Sequence, residues 1–258
     1  MTPGGSSVMS WNDDGVAGPE LLGVALIFLL ATVIQTVTGF GFALVAVPLL
    51  ALVVEPVPAV VATTVASLMI SAAVIRDDWE YVRWREVVVF TLSGIVGMPL
   101  GLWVLTQVPA RLLTAVIAVV LLISTALVAS GATLRTSRAT EVGVGVTSGA
   151  LLTSTGMNGP PLVVSFQATG MPPRPFRGTL STVFLAQGLA AVALLVAGGQ
   201  VAGEALIAAA ISVPMLLAGW VVGNRVFHRL DPVRFRLIVL VMLVITAAVA
   251  LMQAAFNL

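Results

Sequence analysis

Long uncharged stretches, mostly apolar, dominate this chain, and short charged segments separate them. The longest lacking Asp, Glu, Lys, Arg and His are Leu21–Val54, Pro56–Ile75, Val87–Ala110, Leu112–Leu134, Val142–Pro173, Gly178–Gly203, Ala205–Asn224 and Leu237–Leu258. A helix needs about 20 apolar residues to cross the bilayer core. Six of the runs, at 20 to 26 residues, have the length of one crossing each. The first and fifth, at 34 and 32 residues, are too long for that and carry clusters of helix breakers. Leu21–Val54 contains Thr38-Gly39-Phe40-Gly41 and then Pro48; Val142–Pro173 contains Gly156-Met157-Asn158-Gly159-Pro160-Pro161. Glycine weakens a helix and proline interrupts it, so each long run predicts a spanning helix followed by a shorter piece. The pattern predicts an all-α polytopic bundle of eight long spans plus two short, broken or re-entrant ones, about ten elements in all.

Composition makes the bilayer the solvent. Hydrophobic residues are 59% of the 258, charged residues 9%, and mean hydropathy is +1.11; a soluble domain carries about 25% charge. A formal net charge of +1 excludes a nucleic-acid binder built on a basic face. The chain has no cysteine and a single histidine, His228. A thiolate nucleophile and a Cys- or His-rich metal site are thereby excluded, and no cofactor is expected.

The few charges also orient the chain, because cytoplasmic loops collect Lys and Arg. All 12 basic residues are arginine. If every run crosses once, they split 7 to 5 and carry no signal. If the two long runs each return to their starting side, all but Arg111 fall together, 11 to 1. The second topology is expected. It puts segments 76–86, 135–141, 174–177 and 225–236 in the cytoplasm and both termini outside. Residues 1–20 then form a polar tail without the basic region of a secretory signal.

The two long runs begin about 120 residues apart, and other features repeat at that spacing. Gly101-Leu102-Trp103-Val104 precedes Pro109-Ala110-Arg111 as Gly223-Asn224-Arg225-Val226 precedes Pro232-Val233-Arg234. Residues 21–134 and 142–258 therefore read as two membrane repeats joined by a linker, 135–141. With five elements each, an odd number, the repeats insert in opposite orientation. Inverted repeats with discontinuous helices at matching positions are a transporter plan, and the breaks mark the binding site. Backbone groups freed by a break cannot face lipid and must line protein or a wet cavity. The bland alternative is that such Gly and Pro clusters mark close packing or kinks.

What the breaks offer is neutral. Short helices starting at Gly41 and Pro160 would aim N-terminal N–H groups and the positive ends of their dipoles into the membrane, attracting an anion. The candidate binding residues are Gln35, Thr38, Gly39, Phe40 and Gly41 in the first break, with Ser154, Thr155, Gly156, Asn158, Gly159 and Pro160 in the second. Along the substrate path stand Thr63, Thr64, Ser67, Arg177, Thr179, Thr182 and Gln187. For any one hydroxyl, bonding back to its own helix is the competing role. Arg174 and Arg177 serve either to draw an anion in or as cytoplasmic anchors. No ionisable group falls inside a run, which argues against a proton relay through the membrane.

The stretch from Gln35 through Thr38-Gly39-Phe40-Gly41-Phe42 to Pro48-Leu49-Leu50 resembles the first-half signature of the TauE/SafE sulfite-exporter family, also called toluene sulfonate uptake permeases. Ser148-Gly149 through Gly156-Met157-Asn158-Gly159-Pro160-Pro161, then Arg177-Gly178-Thr179-Leu180, resembles its partner motif. Leu44-Val45-Ala46-Val47 departs from the glycine run the family often shows there. The resemblance implies a permease of the bacterial inner membrane for sulfite, a sulfonate or another small organic anion. The partners expected are that anion and the lipid bilayer, with a homodimer possible and no nucleic acid. Two other classes remain open: a non-transporting accessory membrane subunit, which would not need two matched breaks, and an intramembrane enzyme. The enzyme has poor support, since Ser148 is its only nucleophile candidate and His228 lies in a loop.

Overall fold

The computed structural model describes residues 18–50, 56–109, 137–199 and 203–231, with Leu112, Val119 and scattered positions from Val233 to Val244. The expected spans at Leu112–Leu134 and Leu237–Leu258 lie almost wholly outside the described residues, as does most of the N-terminal tail. In chain order the helices are α1 (Gly18–Thr38), α2 (Phe42–Leu50), α3 (Pro56–Asp78), α4 (Trp84–Gln107), α5 (Arg138–Thr155), α6 (Gly159–Ala168), α7 (Pro173–Ala197) and α8 (Gly203–Phe227). A 3-10 turn, Trp79–Tyr81, links α3 to α4, and no strand occurs among the described residues. Three of these helices are long and apolar enough to cross a bilayer, over Val60–Tyr81, Trp84–Gln107 and Pro173–Ala197; Leu22–Thr38 is a shorter apolar helix. This is a multi-pass membrane protein.

Both long runs break where glycine occurs, and by the same local device. Thr38 ends α1: its Oγ1 donates back to the Ile34 carbonyl at 2.8 Å, and accepts from the Phe40 N–H at 3.3 Å. Thr155 ends α5: its Oγ1 donates to the Leu151 carbonyl at 2.8 Å, and accepts from the Met157 N–H at 3.3 Å. The next residue is left-handed in each case, Gly39 at φ 81° and Gly156 at φ 73°, a conformation that strains any residue with a Cβ. The half-helices α2 and α6 then set off.

The outward faces are apolar, as lipid requires, and the interior mixes large apolar side chains with small and polar residues. Leu22, Leu26 and Leu30 form one exposed stripe on α1, and Val88, Leu92, Val96, Leu100 and Trp103 another on α4. Inside, glycines let backbones touch. A Cβ on Gly219 or Gly223 of α8 would reach Cβ of Thr32 at 2.7 Å or Cβ of Thr36 at 2.6 Å on α1. A Cβ on Gly97 or Gly101 of α4 would collide with the Val146 or Ala150 carbonyl of α5, and one on Gly149 with the Gly94 carbonyl. Residue numbers rise together along both pairs, so α1–α8 and α4–α5 each run parallel. Between them α3 and α7 run antiparallel, Gly178 against Asp78 and Gly188 against Leu68.

One end of the bundle gathers arginines of the described helices. Arg85 Nη2 pairs with Glu141 Oε2 at 3.1 Å, Arg174 Nη1 donates to the Tyr81 hydroxyl at 3.0 Å, and Arg177 ties Asp78 to Asn224. The arginine-bearing ends of α3, α4, α5, α7 and α8 therefore meet. Trp79, Tyr81 and Trp84 stand exposed among them, where amphipathic rings suit a membrane interface.

Candidate functional site

The two breaks meet inside the bundle. Phe40, fully buried, lies against Gly159, where an added Cβ would contact its ring at 3.5 Å. Gly156 faces Val47 of α2 and Thr63 of α3 at 3.4 and 3.5 Å by the same measure. Gln35, Thr38, Gly41, Ser154, Thr155, Asn158 and Pro160 are also buried. The sequence thus marks one compact region with two segments 120 or so residues apart.

Most hydroxyl protons there are already engaged. Ser154 donates to the Ala150 carbonyl at 2.7 Å, and Thr63 and Thr64 both donate to the Val60 carbonyl at 3.0 and 2.7 Å. Ser67 donates to the Thr64 carbonyl at 3.0 Å and Thr182 to the Gly178 carbonyl at 2.7 Å. The hydroxyl of Thr179 accepts from the Arg83 N–H at 3.0 Å. These bonds satisfy buried polar groups without a ligand.

The amides act as staples. Gln187 Oε1 accepts from Asn158 Nδ2 at 2.9 Å and from the Ser148 hydroxyl at 3.1 Å, while its Nε2 donates to the Phe90 carbonyl at 2.9 Å. One side chain of α7 thereby holds the second break, α5 and α4 together. In the first half Gln35 Nε2 donates to the Ser71 hydroxyl at 3.1 Å, joining α1 to α3.

The half-helices add backbone donors at the breaks, and these are unequal. The first helical turn leaves its N–H groups without intrahelical acceptors, and in α2 these belong to Phe42, Ala43 and Leu44. In α6 the corresponding residues are Gly159, Pro160 and Pro161, and proline has no N–H. The first half-helix therefore presents more backbone donors than the second.

Beside the first break the structure buries an ion pair, made by Arg177, which the sequence placed along the path and outside the charge-free runs. Arg177 is 0% exposed and packs its backbone on Gly39, whose added Cβ would lie 2.9 Å from the Arg177 Cα. Its Nε donates to Asp78 Oδ2 at 2.5 Å, and its Nη1 to the Thr36 carbonyl at 3.1 Å and to Asn224 Oδ1 at 3.2 Å. The guanidinium carbon stands 3.5 Å from the centre of the Phe227 ring, a cation–π contact. Arg174, three residues earlier, is exposed and sits over the Tyr81 ring instead. Counting charge-free runs missed this because a run ends where a charge appears in sequence. Burial depends instead on where the side chain turns. Asp78, three residues past Ile75, gave no signal of its own: Arg76-Asp77-Asp78 reads as a solvated loop.

A family comparison matches residues 24–250 to the family described as sulfite exporter TauE/SafE. A curated protein of Cupriavidus necator, named a probable sulfite/organosulfonate exporter TauE, is 28% identical over 213 residues, covering 80% of this chain and 83% of that protein. No solved structure matches the chain. The match spans both breaks and the helices that bring them into contact, and it places the chain in the TauE/SafE sulfite exporter family, a family of transporters and not of enzymes.

Proposed function

We propose that this chain is a permease that carries sulfite or an organosulfonate across the membrane, holding the anion beside the two helix breaks near the midplane. The observation that carries the reading is the meeting of two breaks of matching geometry, through Phe40 and Gly159, in a lining of half-helix N-termini. Half-helix dipoles and unpaired N–H groups attract an anion. Gln35, Thr38, Gly39, Phe40 and Gly41 with Ser154, Thr155, Gly156, Asn158, Gly159 and Pro160 form the site, and Thr63, Thr64, Ser67, Arg177, Thr179, Thr182 and Gln187 border the path to it. The name of the relative, a probable exporter, supports export as the direction.

The same proposal includes two inverted repeats, 21–134 and 142–258, with the arginine-bearing end in the cytoplasm. Equivalent packing supports it: the first helix of each half lies parallel to the last described helix of the other, by glycines at corresponding positions. Positive-inside bias supports the sidedness. Location in the bacterial inner membrane belongs to the same reading.

Purified protein in liposomes is expected to move sulfite or a small sulfonate down an imposed gradient. If no small anion moves at any membrane potential, the accessory-subunit reading takes its place.

A further inference from the structure

We infer that Arg177 is the side chain that anchors the transported oxyanion, with Asp78 as its resident counter-ion, and that the anion reaches it through a basic cavity on α8. The inference rests on the permease reading and names the site more closely.

The first observation is unsatisfied donors. Among the described residues five buried side-chain groups lack a hydrogen-bond partner, Arg177 Nη2, Thr36 Oγ1 and Trp220 Nε1 among them. Arg177 and Thr36 are joined directly, since the Thr36 carbonyl accepts from Nη1. Gly223, one turn beyond Trp220 on α8, packs on Thr36. A buried donor left unpaired is costly, and a charged one joined to a residue with a free hydroxyl calls for an acceptor. A sulfur oxyanion supplies several acceptor oxygens at once, and the N–H groups of Arg177 Nη2 are the ones left to meet them.

The second observation is a way in. A cavity of about 510 Å³ is bounded by Trp220, Val221, Asn224, Arg225, His228 and Arg229. Two of its walls are the residues already named: Trp220 carries an unpaired N–H, and Asn224 accepts from Arg177 Nη1 at 3.2 Å. Neither Arg225 nor Arg229 forms an ion pair among the described residues. Two uncompensated guanidinium groups at the mouth raise the local concentration of an anion. Asp78 sets the strength. A guanidinium already neutralised by a carboxylate holds a second anion weakly, and a carrier has to release what it binds.

Two variants test this by sulfite binding in lipid-free detergent and by flux in liposomes. Asn224→Asp is nearly isosteric and places a second carboxylate on Arg177, so the fold is kept. Sulfite affinity should fall about tenfold or more, with no loss of thermal stability, because the new carboxylate competes for the same guanidinium. Arg177→Gln with Asp78→Asn removes both buried charges together and should abolish sulfite binding while the protein stays monodisperse. Should the double variant fail to fold, Asn224→Asp decides alone.

Affinity within about twofold of the parent in a folded variant overturns the inference, since a purely structural ion pair predicts that outcome. A loss in Asn224→Asp confined to retained anionic phospholipid, with sulfite binding intact, also overturns it and makes the cavity a headgroup site. These failures leave the permease reading standing. That reading fails separately, if the unaltered protein moves no anion.

Discussion

At the scale of single residues, two glycines that look alike in sequence have different roles. Gly39 is left-handed and presses on the Arg177 backbone, whereas Gly159 starts a helix and has only ordinary contacts around an added Cβ. Gly39→Ala should therefore destabilise by about 2 kcal/mol or more, combining left-handed strain with displacement of Arg177. Gly159→Ala should fold normally. Thermal unfolding of the two purified variants checks the contrast, and equal midpoints would refute it. Gly159→Ala is then the informative variant for transport, because a flux defect there cannot be ascribed to misfolding. The residues of both breaks were legible in sequence, since glycine and proline announce where a helix stops. The partners of Gln187 and Arg177 were not, because each joins segments up to 141 positions apart.

At the scale of elements, the helices associate by close backbone approach. In lipid there is no hydrophobic drive to hold apolar faces together, so packing depends on small residues. Gly149 and Gly143 sit on the same helix, α5, and only Gly149 touches a neighbour. Gly149→Ala should drive α5 away from the Gly94 carbonyl and lower the unfolding midpoint by several degrees. Gly143→Ala, with open space around it, should be neutral or stabilising by up to about 1 kcal/mol. Melting the two variants side by side is the check, and a Gly149→Ala protein as stable as the parent would contradict the packing described. Spacing predicted which helices break and roughly where they start: Gly41 and Pro160 were expected, and Phe42 and Gly159 are found. It did not predict that α1 pairs with α8 and α4 with α5. That pairing needs the glycines to be matched across the chain.

At the scale of the whole molecule, the arginines of the described helix ends gather at one end. Single cysteines test the sidedness cleanly because the chain has none of its own. Cysteine at Ser137 or Arg229 should react with an impermeant thiol reagent only from the cytoplasmic face, and cysteine at Ser6 only from the other. Any other pattern would overturn the proposed topology and the inverted repeat together.

The amino-acid sequence by itself determined the solvent, the helical class, the two breaks and the family resemblance. Each of these depends on local composition and spacing, which a membrane constrains severely. Tertiary structure alone decided what the breaks touch and which arginine is buried. Arg174 and Arg177 are chemically identical and three residues apart, yet one lies over an exposed Tyr81 and the other is enclosed by Asp78, Thr36, Asn224 and Phe227. Less than one helical turn separates the interface from the interior here. The direction in which a side chain leaves its helix is set by neighbours that the local sequence does not contain.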